Sequence, residues 1–428
     1  MLKLQWLQIN KFRSVKPGTR LVFNPTFNVL LGQNGTGKTT LLNLVTAVVS
    51  SNFTALRDED FEVEYELSSN VGKLVASVRN TRGADAQPFQ SLMIHRGEKF
   101  RATEFLAQVK LFSPDGRLEF AIASDGARLT RSTGDETSAP VWRSFPSMGA
   151  RLWATLLMGV VEWAYENYDE KKAAAVVGGY SALWSEADLS RFDEALGYFE
   201  QLKKTRFSLR RSKESGELQA WGTDVPEVLT KEWLRLAQPH WEAERYAFSS
   251  ERVPFLSEAA RLLGFEAIEA SIELQQSKND EDSDILEFGD LKFLLARKSG
   301  NRISEQHLSY GQKRILAFMY YLAVTRSVVV ADELVNGLHH GWIRACIESL
   351  GSRQVFLTSQ NPLLLDYLTF DSAEQVRSTF VLSRWEEAES GGQMVWEDMS
   401  LEAAEDFFAS YKVGFQQVGE LLQSKGLW

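Results

Sequence analysis

The sequence predicts an α/β fold in which two strand-bearing lobes flank a helical insertion. Three observations carry that expectation. Near the start, a glycine-rich loop joins an apolar run to an apolar helix-like segment. Far along the chain, a short β-branched run ends in two carboxylates. Between them, residues 145–265 carry apolar side chains mostly at helical spacing. The expected division is 1–140 for an N-terminal lobe, 141–265 for the insertion and 266–428 for a C-terminal lobe.

In chain order, 4–9, 20–23 and 27–31 read as strands. The segment Phe61-Glu62-Val63-Glu64-Tyr65-Glu66-Leu67 alternates with period two, as a half-exposed strand does. Residues 74–78 and 118–123 look similar, and 83–87 and 133–139 are polar, turn-rich breaks. Helices are expected over 148–163, 186–204, 226–237 and 254–263. Seven of the twelve tryptophans fall between Trp142 and Trp241. Core packing and a partner-binding face both account for them. Residues 265–274 and 285–296 suggest strands around an acidic turn at 279–284. That turn lacks the carboxylate spacing of a calcium loop.

Phe27-Asn28-Val29-Leu30-Leu31 feeds Gly32-Gln33-Asn34-Gly35-Thr36-Gly37-Lys38-Thr39-Thr40, and Leu41-Leu42-Asn43-Leu44-Val45 continues as a helix. This is the G-x-x-x-x-G-K-[ST] phosphate loop in its required strand–loop–helix setting. Glycines let the backbone wrap closely around phosphate oxygens. The N–H groups of Asn34, Gly35, Thr36, Gly37 and Thr40, with the helix N-terminus behind them, favour an anion. Lys38 is expected to reach the β- and γ-phosphates of ATP, and the Thr39 hydroxyl to ligate Mg²⁺. Ser327-Val328-Val329-Val330-Ala331-Asp332-Glu333 suits a parallel strand buried on both faces. Asp332 at its end would hold the Mg²⁺ shell, and Glu333 would polarise the attacking water.

The chain of 428 residues is 44% hydrophobic and 11% aromatic, ample for a sizeable core, and carries a net charge of −10. An acidic chain is a poor non-specific binder of nucleic acid, because phosphate contacts need Lys and Arg. One cysteine, Cys346, excludes an internal disulfide and a cysteine metal cluster. No apolar leader is visible at the start, and the apolar stretch 152–161 is too short to span a bilayer. A soluble, cytoplasmic protein is expected. The densest basic run, 203–213, reads either as a charged helix end or as a contact patch for nucleic acid or an acidic partner.

Leu308-Ser309-Tyr310-Gly311-Gln312, just ahead of a helix and of the Asp-Glu strand, resembles the signature motif of ABC-type ATPases. Leu334-Val335-Asn336-Gly337-Leu338-His339 resembles the D-E-P-E-N-G-L-H stretch of the RecF, SMC and OLD-like ATPases, with Leu334 and Val335 in place of Pro and Glu. The opening Ile9-Asn10-Lys11-Phe12-Arg13-Ser14 is similar to their N-F-R-S start. These likenesses cover about 1–50 and 300–370. They imply an ABC-type head whose two copies pair head to tail around ATP. Ser309, Gly311 and Gln312 would then act on the partner's nucleotide, with Arg13 near the phosphates. A second self-associating surface would build such dimers into a larger ring or a trimer of dimers. In Thr358-Ser359-Gln360-Asn361-Pro362, Gln360 stands where the resembling proteins carry His. Gln can hydrogen-bond the γ-phosphate but cannot carry positive charge, so slow hydrolysis is expected. The Q-loop has two candidates, Gln87 and Gln90.

Within this group the chain looks similar to stand-alone anti-phage defence ATPases of the PARIS or Septu type. That likeness implies a sensor or scaffold for a separate nuclease chain, with DNA or a phage protein as trigger. The alternative is a RecF-like, ATP-dependent DNA clamp. A transporter ATPase, which would need a membrane partner, is disfavoured by the long separation of Lys38 from Ser309.

Overall fold

The protein is described by a computed structural model. It covers all residues except 71, 83–102, 114–115, 124–125, 134–135, 138–140, 144–150, 185, 188, 194–196, 223–224, 388–390 and 428. The Q-loop candidates Gln87 and Gln90 lie outside the described residues.

At the centre is a five-stranded sheet in the order Val328–Ala331, Gln354–Thr358, Phe27–Leu31, Phe380–Glu386, Gln393–Asp398. The first four strands are parallel and the last is antiparallel to its neighbour. Val328–Ala331 and Gln354–Thr358 are buried at every position, as expected of parallel strands covered on both faces. Alternation along them divides the interior in two. Leu30, Val328, Val330, Phe356 and Val381 face one core, with the helix Lys38–Val49. Val29, Leu31, Val329, Ala331, Val355 and Leu357 face the other, with the helix Tyr310–Val324.

The first core is closed by a nine-stranded antiparallel sheet. Its path runs Val141–Arg143, Gly126–Thr133, Gly116–Ala123, Thr103–Ser113, Gly72–Arg82, Phe61–Ser69, Lys3–Phe12, Thr19–Val22, with the ninth strand, Glu136–Thr137, off the path beside Gly126–Thr133. Phe61–Ser69 shows the alternating burial that its sequence predicts. Gln354, fully buried at the start of its parallel strand, joins the two sheets. Its amide accepts from Leu4 N at 2.8 Å and donates to Leu4 O and Asn24 O, each at 2.8 Å. It thereby satisfies Leu4 where the pairing of Lys3–Phe12 with Phe61–Ser69 shifts register.

The insertion is more mixed than its periodicity suggests. Helices form at Leu152–Asn167, Glu170–Ser181, Gly197–Lys204, Glu227–Ala237 and Pro254–Leu263. The strands Phe207–Ser212, Leu218–Gly222 and Arg245–Ser249 also lie within 141–265. They join Ala267–Asn279, Ser283–Ala296 and Arg302–Ser304 in a six-stranded antiparallel sheet. The strands are short, and Leu218–Gly222 carries no fully buried residue, so their period-two signal is weak beside that of the helices. Trp163, Trp184 and Trp233 are buried, which supports core packing for those three, whereas Trp221 is exposed.

A strap leads from the insertion back to the central sheet. The Phe192 N–H donates to Val330 O at 2.9 Å, and Asp332 N–H donates to Phe192 O at 2.8 Å. Phe192 is buried and packs against Phe318 and Tyr321, with ring centroids at 5.3 and 5.5 Å. The Tyr321 hydroxyl donates to Ser190 O at 3.0 Å and accepts from Val330 N at 3.0 Å. The strap's near end is held by Glu186, whose Oε1 accepts from Arg326 N at 3.0 Å and from Ser327 N.

Burial pushes the Glu186 carboxyl up to about 7 from 4.5, against the pull of those backbone donors. The nearby Arg353 is spent on the carbonyls of Leu322, Thr325, Ser349 and Leu350. A raised acid means that the folded state holds the proton more tightly. The stability it contributes is fully present below pH 4.5 and is lost as pH rises to about 7. Glu186→Gln keeps the accepting oxygen and has no charge to bury. Its advantage over wild type in denaturant unfolding is expected to open across that window and reach on the order of 2–3 kcal/mol at pH 8. A pH-independent gap would refute the assignment.

Candidate nucleotide site

The loop after Phe27–Leu31 needs glycine at two crowded places. Gly32 and Gly37 have φ of +142° and +91°. A Cβ at Gly32 would collide with Ser383 O, and one at Gly37 with Met394 Sδ. These neighbours come from the strands Phe380–Glu386 and Gln393–Asp398, which buttress the loop from behind. The Ser383 hydroxyl and the Trp396 indole N–H donate to Thr36 O at 2.7 and 3.2 Å. The Thr36 hydroxyl donates to Gln33 O at 2.8 Å. By contrast, Gly35 at φ +84° has open space where a Cβ would sit. The result is a fixed cradle of backbone amides at a helix N-terminus, with Lys38, Thr39 and Thr40 in the first turn.

Lys38 Nζ donates to Gly32 O at 2.6 Å and Gln33 O at 2.9 Å. Burial lowers its pKa, while the carboxylates of Glu333 and Asp332 pull it back up. The phosphate-loop lysine and the two strand-end acids therefore share one site, as the sequence predicts. The Thr39 hydroxyl donates to Asp332 Oδ2 at 2.8 Å. Thr358 Oγ1 donates to Asp332 Oδ1 at 2.6 Å and accepts from Glu333 N at 2.9 Å. Gln360 N donates to Glu333 Oε2 at 2.9 Å, and its side-chain amide donates to Asn34 Oδ1 at 3.2 Å. Residues from three separate stretches of sequence thus meet at the carboxyl ends of three adjacent parallel strands.

The donor set fits Mg·ATP. One hydroxyl and one carboxylate stand side by side, which suits an ion that keeps several waters and takes phosphate oxygens. Among the described residues there is no cluster of three or more His, Cys, Asp or Glu that would hold a metal alone.

Ser309 caps the helix Tyr310–Val324. Its Oγ accepts from Gln312 N at 3.3 Å, and Gln312 Oε1 accepts from Ser309 N at 2.9 Å, a closed capping box. The cap uses a lone pair of the hydroxyl and leaves its proton available to an anion. A Cβ at Gly311 would stand 2.9 Å from Gly337 O, so Gly311 lets the 336–339 loop lie against the signature. Trp342, whose ring lies tilted against His339 at 4.1 Å, donates to Leu262 O at 2.9 Å and ties that loop to the insertion.

Arg13 makes a two-pronged pair with Glu59, both contacts at 2.6 Å. Half of the basic run is also engaged, and Lys203 pairs with Glu200 at 3.5 Å. Arg211 pairs with Asp284 at 3.2 Å and stacks over Trp241, and Lys213 reaches Asn279 and Asp284. The acidic turn neutralises its basic neighbour across the sheet.

Two residues not singled out from the sequence belong to this region: Arg191 and Arg314. Arg191 Nη1 pairs with Asp332 Oδ2. Arg314, fully buried, donates to Leu334 O at 3.1 Å, Asp193 O at 2.9 Å and Glu333 O. An arginine at the head of the apolar run Ile315-Leu316-Ala317-Phe318 was the available signal for the last. Nothing in the local sequence marks Arg191.

Two family models match. Residues 7–113 match one described as an AAA domain. Residues 199–366 match one described as an AAA domain, putative AbiEii toxin, Type IV TA system. The phosphate loop falls in the first match, and the signature, the Asp-Glu pair and Gln360 fall in the second. Both halves of the site lie in ATPase-domain sequence. With the parallel strand order and the phosphate loop, this makes the fold that of a P-loop ATPase.

No curated protein matches significantly. Similar solved structures include an SMC head bound to the C-winged helix domain of ScpA, at 11% identity and TM-score 0.36, covering 92% of this chain and 98% of that one. The SMC head domain from Thermotoga maritima is 11% identical at TM-score 0.33, covering 93% and 100%. The recombination mediator protein RecF is 13% identical at TM-score 0.30, covering 93% and 98%. Among the described residues, no helix is long and apolar enough to cross a membrane.

Proposed function

We propose that the chain is an ABC-type ATPase of the RecF, SMC and OLD-like group that closes as a dimer around Mg·ATP. In this reading it serves as sensor and scaffold for a separate nuclease in anti-phage defence. The observation that carries the ATPase reading is the convergence of Lys38, Thr39, Asp332, Glu333 and Gln360 at one strand end. The loop amides and Lys38 bind the phosphates, while Thr39 and Asp332 would hold Mg²⁺, which would supply positive charge to the phosphates when bound. Glu333 orients and deprotonates the attacking water, and Gln360 hydrogen-bonds the γ-phosphate without adding charge.

Dimerisation is supported by the Ser309 cap, whose hydroxyl proton and helix N-terminus suit a partner's γ-phosphate. The 336–339 loop packs on Gly311 and is tied through Trp342 to Leu262. This tie supports a role for the segment 141–265 in sensing the closed state, and we assign partner specificity to it. The defence reading draws support from the matched family's description as a putative toxin of a type IV TA system. It is tested by gentle purification from the native host with ATP and Mg²⁺, followed by native mass measurement. A complex containing a nuclease-sized second chain is expected. A bare ATP-dependent dimer carrying DNA would instead favour the repair clamp.

A further inference from the structure

We propose that Arg191 is a positioning residue of the metal site, a resident cation that holds Asp332 in place and must yield Oδ2 when Mg²⁺ arrives. The inference rests on the Mg·ATP reading of the site. Asp332 Oδ1 is taken by the Thr358 hydroxyl, whereas Oδ2 takes both the Thr39 hydroxyl and the Arg191 guanidinium. Thr39 and Oδ2 are the pair between which the metal shell would form. The guanidinium therefore competes for the same carboxylate oxygen, and its charge-assisted bond is of the strong kind.

The backbone of Arg191 is fixed on both sides. Ser190 O is held by Tyr321, and Phe192 is bonded to Val330 and Asp332 and buried to 1% exposure. The Arg191 side chain remains 24% exposed. The guanidinium can swing while its Cα stays in register with the strand end. Arg191 thus keeps a positive charge in a site whose switch position carries neutral Gln360. It also links the strap leaving the insertion to the metal ligand.

Binding of a fluorescent ATP analogue titrated with Mg²⁺ tests this in wild type, Arg191→Met, Arg191→Gln and Arg191→Lys. Removing the competing charge is expected to lower the half-saturating Mg²⁺ concentration roughly tenfold in the Met and Gln variants. The Lys variant should stay near wild type. A purely structural role would lower thermal stability without moving the Mg²⁺ midpoint. An unchanged or raised midpoint in both neutral variants, beside a Mg²⁺-dependent wild type, overturns the inference alone. A wild type that binds no analogue, or binds it without regard to Mg²⁺, overturns the Mg·ATP reading as well.

Discussion

Glu333→Gln is expected to lower ATP turnover by roughly 10²–10³-fold while leaving nucleotide binding intact. The substitution is nearly isosteric. The Gln carbonyl oxygen can still accept the Gln360 N–H that Glu333 Oε2 accepts at 2.9 Å. Its backbone N–H still meets Thr358 Oγ1. What disappears is the carboxylate proposed to orient and deprotonate water. With hydrolysis blocked, nothing discharges the nucleotide that the signature of a second copy would grip. The variant should therefore elute as a stable dimer in Mg·ATP, where wild type dissociates as it turns over. Steady-state turnover and light scattering on the same samples decide the matter. Turnover within about threefold of wild type would remove Glu333 from the chemistry. Slow turnover without a persistent dimer would keep the chemistry and sink the paired-head reading.

Much of this site was legible in the sequence because its parts are local. A phosphate loop is one strand, one turn and one helix start. The Asp332-Glu333 pair ends an uninterrupted β-branched run, and the Ser309 cap lies three residues from the Gln312 that completes it. Each declares itself within a dozen residues. The groups that were not legible act at long range. Arg191 lies far from Asp332 in sequence and meets it only because Phe192 adds to the edge of Val328–Ala331. Gln354 and Glu186 satisfy backbone groups of distant segments, and neither sits in a motif. The strands within 141–265 were obscured for a related reason. Phe207–Ser212 and Leu218–Gly222 are short and pair with each other, and the strand that ties this hairpin into a sheet is the distant Ser283–Ala296, which pairs with Phe207–Ser212. Arg211 and Lys213, read from the sequence as part of a charged helix end or a contact patch, meet Asp284 of the strand Ser283–Ala296 only through that long-range pairing.

Arg314→Leu is expected to be the most damaging single substitution for the fold of the site. The guanidinium is fully buried and lies over the Phe192 ring at 5.1 Å. Its donors are spent on the carbonyls of Asp193, Glu333 and Leu334. Leucine removes the Arg314 donor from all three carbonyls and leaves Glu333 O to Asn336 N, a loss of roughly 3–5 kcal/mol. The position also holds a strained backbone. Glu333 sits at φ +50°, a left-handed conformation that costs about 1–2 kcal/mol for a residue with a side chain. It is kept there by Arg314 on its carbonyl, by Thr358 on its N–H, and by Asn336 N donating to the same carbonyl at 3.1 Å. Without Arg314 the peptide can relax, and the carboxylate then leaves the Gln360 N–H. Arg314→Lys is not a rescue, because one ammonium cannot serve carbonyls spread across a planar fork. Both variants should show a lowered unfolding midpoint and turnover reduced beyond what the remaining folded fraction explains. Unfolding within about 1 kcal/mol of wild type in the Leu variant would mean that Arg314 fills space rather than holding Glu333.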